Sequence, residues 1–107
     1  MNAYRLAICE DDDVTRKELH SLCHDILTED GIGHEIMEFL SAQELERVLT
    51  EESDPFDLLL LDIKMEGMTG MELAQLLRRR GDRVSIVFIT GDENYLPEGY
   101  SVQPIHF

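Results

Sequence analysis

The chain has 107 residues, of which 43% are hydrophobic and 30% charged, and its formal net charge is −14. This length suits one small domain, and the hydrophobic content excludes an intrinsically disordered chain. The charge argues against direct binding to nucleic acid or to an anionic membrane surface, because phosphate groups would be repelled. It favours cationic partners, including metal ions.

The N-terminus leads directly into a short apolar run and then four acids, so neither a secretory signal nor a membrane-spanning segment is predicted. The two cysteines, Cys9 and Cys23, fall on a predicted strand and a predicted helix. We expect two buried thiols rather than a disulfide. These features predict a cytoplasmic location.

A first strand is predicted over Tyr4–Cys9, followed by four acids at 10–13. A helix then begins near Asp13, because an acid at this end caps free N–H groups and suits the helix dipole. It ends near Gly31, since glycine readily takes the left-handed conformation. Its apolar stripe consists of Leu19, Leu22, Cys23, Ile26 and Leu27.

The second strand is predicted over Gly33–Leu40, with Ile36 and either Phe39 or Leu40 facing inward. Ser41 is the expected N-cap of a second helix, and Glu44 would complete a capping box. The buried side of that helix is formed by Leu45, Val48 and Leu49.

The third strand, Phe56–Asp62, contains four consecutive leucines and ends on a carboxylate. A short apolar run of this kind predicts a strand that is buried on both faces, as in the middle of a parallel sheet. A loop with two glycines follows, and a third helix begins at Thr69 or Gly70. Its predicted inward residues are Leu73, Ala74, Leu76 and Leu77, and it ends at Arg78–Arg80.

A fourth strand is predicted over Val84–Thr90, a short helix over Asp92–Tyr100, and the beginning of a fifth strand over Pro104–Phe107. Strands and helices therefore alternate along the chain. This alternation predicts an α/β fold, with a parallel sheet and helices on both of its faces.

Three of these strands end in polar groups: Glu10 and Asp11 after the first, Asp62 after the third, and Thr90 after the fourth. The carboxyl ends of parallel strands lie along one edge of the sheet, where ligands bind in α/β folds. Carboxylates that meet there repel each other, and a hard divalent cation relieves the repulsion. Oxygen ligands favour Mg²⁺, and the backbone carbonyl of Lys64 would complete the set.

The whole chain resembles the receiver domain of two-component response regulators. The matching motifs are the acidic pair Glu10–Asp11, the segment Leu61–Met65 that continues into Gly67–Leu73, and Ile89–Gly91. The resemblance implies a three-layer αβα sandwich, with a five-stranded flavodoxin-like sheet of order 2-1-3-4-5.

The resemblance also implies roles for individual residues. Asp62 would accept a phosphoryl group from a sensor histidine kinase, while Glu10, Asp11, Asp62 and the Lys64 carbonyl hold Mg²⁺. The Thr90 hydroxyl would hydrogen-bond to the phosphoryl group, and Phe107 is the aromatic available to follow its movement. A carboxylate can attack phosphorus once a cation neutralises the crowded charge.

The sequence departs from the family pattern at its end, because the Lys-Pro pair and the final helix that follow the fifth strand are absent. We therefore interpret residues 1–107 as a single receiver domain that is cut short, with no output domain. Loss of the lysine should weaken switching on phosphorylation. Loss of the helix should expose apolar surface and favour a homodimer.

Smaller motifs, such as Cys9–Asp12 and Gly99–Val102, are similar to receivers joined to LytTR-type DNA-binding domains. The implied parent protein is a transcription regulator whose output domain would contact DNA. Nothing in residues 1–107 themselves indicates DNA binding.

Two other functions are consistent with the residues. One is a degenerate receiver that acts only as a protein-interaction or dimerisation module. The other is a Mg²⁺-dependent phosphohydrolase with an aspartyl nucleophile, although Lys64 stands where such enzymes need a second carboxylate. His20 and His24 have the spacing of a metal pair but no third ligand, and we interpret them as surface residues.

Overall fold

The computed structural model describes residues 3–89, and these form four strands and three helices. The strands are Tyr4–Cys9 (β1), His34–Phe39 (β2), Leu58–Asp62 (β3) and Ser85–Ile89 (β4). The helices are Asp13–Glu29 (α1), Ala42–Glu51 (α2) and Gly70–Arg79 (α3). The helix predicted over 92–100 and the strand predicted over 104–107 lie outside the described residues. Within residues 3–89, none of the helices combines the length and the apolar character that a bilayer span requires.

The strands form one parallel sheet in the order β2-β1-β3-β4. Strand β3 lies between β1 and β4, so that Leu59 is aligned with Ala7 on one side and Ile86 on the other. Parallel neighbours need crossover connections, and the helices provide them. This arrangement confirms the predicted flavodoxin-like fold class for the first four strands.

Successive side chains of the central strands point to opposite faces of the sheet and bury two separate cores. Leu59 and Leu61 face α2 and α3, together with Leu45 and Leu73 of those helices. On the other face, Leu60 packs in the layer that α1 covers. The result is the predicted three-layer sandwich, with β3 buried on both faces.

The two cysteines are unpaired, and the layers explain why. Cys9 is fully buried in the core beneath α2 and α3, whereas Cys23 packs from α1 onto the opposite face of the sheet. The sheet therefore separates the two sulfur atoms. This confirms the prediction that the two cysteines do not form a disulfide, but Cys23 is only partly buried, whereas both thiols were predicted to be buried.

The apolar stripe predicted for α1 is too wide. Leu19, Cys23 and Leu27 pack against the sheet, but Leu22 and Ile26 are 55% and 50% exposed. Leu19, Cys23 and Leu27 are spaced four apart and form one line along α1. Leu22 and Ile26 form a second line beside it, on the flank of the helix. Among residues 3–89, the apolar cluster on this face contains Leu19, Cys23 and Leu27 of α1 and no side chain of another helix.

Strand β3 begins later than predicted, at Leu58 rather than Phe56. Phe56 is buried against Phe39 with an edge-to-face ring contact, but it precedes the strand. Asp57 is exposed, and its carboxylate accepts a hydrogen bond from the Arg5 N–H at 2.8 Å. The strand was predicted to begin too early because Phe56 is apolar and buried, which is typical of a strand, although it does not pair with a neighbouring strand.

The structure decides between two predicted alternatives for β2 and differs from two predicted side-chain arrangements in α2 and α3. Phe39 is the inward residue at the end of β2, whereas Leu40 is half exposed, and Leu76 of α3 is only partly buried. Ser41 caps α2 as predicted, but the Glu44 carboxylate accepts from the Leu40 N–H instead of the Ser41 N–H. The capping box predicted for α2 is thus incomplete.

Candidate functional site

Glu10 and Asp11 immediately follow β1 at the carboxyl edge of the sheet. The N–H of Glu10 still donates to the Phe39 carbonyl at 3.1 Å, so its backbone continues the pairing with β2. The chain then turns, and the Glu10 carboxylate accepts a hydrogen bond from the Asp12 N–H at 2.9 Å. Glu10 as a whole is only 5% exposed, while Asp11 is open to solvent.

Asp62 is the last residue of β3 and lies at the same edge. It pairs with Ile89 of β4, and the following N–H, that of Ile63, donates to the Ile89 carbonyl at 3.1 Å. The N–H of Lys64 lies 3.3 Å from Asp62 Oδ1. Pairing with β4 and the contact from the Lys64 N–H therefore hold Asp62 in place, half-buried.

The carboxylates of Glu10, Asp11 and Asp62 converge, and we call these three residues the acidic cluster. One oxygen from each lies within 4.8 Å of the others. Three oxygen donors at this separation suit a hard cation such as Mg²⁺, which is bound by a few carboxylates and retains several waters. The donor set therefore fits the predicted metal.

Burial and mutual repulsion disfavour negative charge in the acidic cluster. Burial, and then the neighbouring charge of Asp62, raise the pKa of Glu10 to about 7, although the Asp12 N–H opposes the shift. Burial also raises the pKa of Asp62, against the effect of the Lys64 N–H. A bound cation would reverse this balance by favouring the ionised carboxylates.

The N-terminus of α3 packs directly onto Asp62. The N–H of Gly70 donates to the Ile63 carbonyl at 3.2 Å, and a Cβ atom at Gly70 would collide with the Asp62 carbonyl oxygen. Only glycine permits this approach. Thr69 and Glu72 form a reciprocal capping box that fixes the helix end at this point. Gly70 is therefore a structural part of the site.

Arg16 is a further residue of the site that the sequence pattern did not reveal. Its side chain is buried, and its Nη1 donates to the Glu10 carbonyl at 3.0 Å. One signal was available, because a cation close to a helix N-terminus opposes the helix dipole and so calls for a specific partner.

Cys9 and Met65 pack beneath the acidic cluster. Their sulfur atoms are 3.8 Å apart, and both side chains are buried. Burial, followed by the nearby carboxylates, raises the pKa of the Cys9 thiol to about 12, so this sulfur stays protonated. The prediction that Cys9 belongs to the core is confirmed.

The structure thus brings together Glu10, Asp11 and Asp62 of the predicted site. Lys64 is exposed and contacts Asp62 through its N–H. Thr90 and Phe107 lie outside the described residues, so their roles stay predictions. Asp12 and Asp13 are exposed; Asp12 caps α1 and Asp13 pairs with Arg16.

Comparison with models of known protein families identifies the family of the chain. The family model of the response regulator receiver domain matches residues 6–103. The chain belongs to this family. Receiver domains act within two-component signalling systems, in which they typically interact with histidine kinases and output domains.

A curated relative of this receiver domain is a transcriptional regulatory protein of Bacillus subtilis, YrkP, which is uncharacterized. The two are 30% identical over 97% of this chain and 47% of the relative. The chain thus spans about half the length of that protein. The relative does not test the more specific resemblance to LytTR-type regulators, which stays a prediction.

Solved receiver structures share the fold. A response regulator receiver domain from Clostridium thermocellum has a TM-score of 0.76 at 18% identity, over 92% of this chain and 72% of its own. The response regulator TrrA from Thermotoga maritima, solved in complex with Mg²⁺ and BeF, has a TM-score of 0.67 at 24% identity, over 89% and 76% of the two chains. At these identities the likeness supports the fold alone.

Proposed function

We propose that this receiver domain is a phosphoacceptor and that Asp62 takes a phosphoryl group from the phosphohistidine of a sensor histidine kinase. The observation that carries the proposal is the convergence of Glu10, Asp11 and Asp62 within 4.8 Å at the carboxyl ends of β1 and β3. Membership of the receiver family supports the same conclusion. The chain acts as a signalling module and not as a turnover enzyme.

In the proposed reaction, a carboxylate oxygen of Asp62 attacks phosphorus. The O–P bond forms, the P–N bond to the kinase imidazole breaks, and an aspartyl phosphate remains. Glu10, Asp11, Asp62 and the Lys64 carbonyl would hold Mg²⁺, which would neutralise charge on the transferring group. The Lys64 N–H holds Asp62 Oδ1 from one side, which orients the carboxylate.

The proposal extends to the surroundings of the site. The Thr90 hydroxyl hydrogen-bonds to the phosphoryl group and moves toward it, and Phe107 follows that movement. The output is the control of transcription, which the relationship to a transcriptional regulatory protein supports. A cytoplasmic location and a homodimer complete the proposed picture, and neither requires contact of this domain with nucleic acid or membrane.

Incubation with Mg²⁺ and acetyl phosphate tests the proposal, with intact-mass and peptide mass spectrometry as the readout. We expect one phosphoryl group on the wild type and none on Asp62→Asn. Asp57→Asn is the matched control, because Asp57 immediately precedes the same strand at its opposite end and is exposed. It should be labelled as the wild type is.

The other outcomes would reject the proposal. A folded wild-type chain that takes no phosphoryl group and does not bind beryllofluoride would instead be a pure interaction module. Repeated turnover of a phosphomonoester would identify a phosphohydrolase.

A further inference from the structure

Arg16 is a buried cation that connects three elements beside the acidic cluster. Its side chain lies near the start of α1 and is only 7% exposed. Nη1 donates to the Glu10 carbonyl at 3.0 Å, Nε to Glu38 of β2 at 2.9 Å, and Nη2 to Asp13 at 2.6 Å. The rigid guanidinium fork therefore ties the end of β1 to both α1 and β2.

Stability alone does not account for this placement. A cation near a helix N-terminus opposes the dipole, and burial of an ion pair removes much of its Coulombic gain. The contact with the Glu10 carbonyl gives Arg16 a more specific effect. That carbonyl belongs to the planar peptide unit between Glu10 and Asp11, so holding it fixes the direction in which Asp11 leaves the backbone.

We propose that Arg16 is a positioning residue, which orients Glu10 and Asp11 so that their carboxylates meet Asp62 at the Mg²⁺ site. This inference rests on the proposed function. It is supported by the other restraints on the same residue: the Glu10 N–H is held by the Phe39 carbonyl and the Glu10 carboxylate by the Asp12 N–H. The contact from Arg16 fixes the remaining polar group of Glu10.

Glu38 anchors the guanidinium. One carboxylate oxygen accepts from Arg16 Nε, and the other lies 2.6 Å from His20 Nδ1. These contacts lower the pKa of Glu38 although burial alone would raise it, so this carboxylate stays charged at neutral pH. The anchor is part of β2, apart from the turn at 10–12 that carries Glu10 and Asp11. Removing the charge on Glu38 should therefore loosen Arg16 and affect the metal site from a distance.

The direction of the change in Mg²⁺ affinity separates positioning from simple electrostatics. Arg16 is a positive charge near the metal site, so its removal should tighten Mg²⁺ binding if charge alone mattered. If Arg16 positions the ligands, its removal should weaken binding despite the lost repulsion. Loss of a residue that orients metal ligands typically weakens metal affinity by about 10-fold or more.

The experiment measures the Mg²⁺ dissociation constant by isothermal titration calorimetry for the wild type and three variants, with unfolding curves in chelator to establish the folded fraction. We expect Arg16→Met to weaken affinity about 10-fold, with Glu38→Gln weakening it less and Arg16→Lys retaining part of it. Arg80→Met and Glu35→Gln are controls, because each removes one side of an ion pair away from the acidic cluster. Both should bind Mg²⁺ as the wild type does.

Unchanged or tighter binding by Arg16→Met overturns the inference and leaves the proposed function intact. If Arg16→Met does not fold, the folded Arg16→Lys and Glu38→Gln variants decide, and wild-type affinity in both overturns the inference. A wild type without saturable Mg²⁺ binding overturns the inference and the proposed metal site together.

Discussion

At the scale of single residues, Glu10 makes stability depend on pH. Its pKa is raised from 4.5 to about 7. Between these values the folded chain binds a proton that the unfolded chain has lost, so the free energy of unfolding falls as pH rises. We expect Glu10→Gln to be the more stable protein at about pH 8 and to lose this advantage at about pH 4.

Denaturant unfolding in chelator across this range measures the effect. The difference between wild type and variant reports Glu10 together with Asp62, because each of these carboxyl groups shifts the pKa of the other. Glu38 and Glu46 act in the opposite direction, because their partners lower their pKa values. The stability that these two carboxylates contribute is lost as pH falls. A difference between the two proteins that does not change with pH would show that Glu10 is not the source.

A second prediction at this scale concerns Gly70, because two physical effects predict opposite changes in stability for its replacement by alanine. Alanine is the better helix former, so helix propensity alone predicts that Gly70→Ala stabilises α3. The collision of the new methyl group with the Asp62 carbonyl oxygen predicts destabilisation, by about 1–3 kcal/mol for an overpacked site. We also expect weaker Mg²⁺ binding, since Asp62 must shift.

Urea unfolding and Mg²⁺ titration test both effects. Gly33→Ala is the control, because nothing lies within 4 Å of its new methyl group. Its stability should stay within about 0.5 kcal/mol of the wild type. Equal stability of the two alanine variants would contradict the steric argument.

At the scale of elements, the N-termini of α2 and α3 look alike in sequence and differ in structure. Thr69 and Glu72 exchange two hydrogen bonds, whereas Glu44 accepts from Leu40 instead of Ser41. We expect Thr69→Ala and Ser41→Ala each to cost about 1 kcal/mol. A double-mutant cycle should show coupling between Thr69 and Glu72 and less coupling between Ser41 and Glu44. Equal coupling at both ends would contradict this difference.

The elements that the sequence predicted well are those whose signals are local. The leucine run of β3 and the polar breaks between elements identify strands and helices, because burial and turn formation act on neighbouring residues. The predicted ends of strands and the predicted buried faces of helices were less accurate. Phe56 is buried without pairing, and Leu22 and Ile26 have helical spacing but lie beyond the covered face of α1.

The acidic cluster was predictable for a related reason. Glu10, Asp11 and Asp62 each follow an apolar strand, and the ends of parallel strands share one edge. The role of Arg16 was not predictable, because its partners Glu10 and Glu38 come together only when α1 packs beside β1 and β2. The close approach of Gly70 to Asp62 likewise depends on how α3 packs.

At the scale of the whole molecule, the net charge of −14 should make stability depend on ionic strength. Self-repulsion destabilises a compact, highly charged chain, and salt screens it over about 8 Å at physiological strength. Sodium chloride should therefore raise the melting temperature of the wild type. Asp62→Asn removes one of the crowded charges, so without Mg²⁺ it should melt at a higher temperature than the wild type.

Magnesium chloride at matched ionic strength separates a specific site from general screening. A ligand that binds only the folded state at about 100 times its dissociation constant adds about 2.7 kcal/mol to stability. We expect this additional increase in the wild type and a smaller one in Asp62→Asn, so Mg²⁺ should reverse the order of the two melting temperatures. Equal responses of both proteins to the two salts would mean that Mg²⁺ acts on the acidic surface as a whole. The three carboxylates would then meet without forming a metal site.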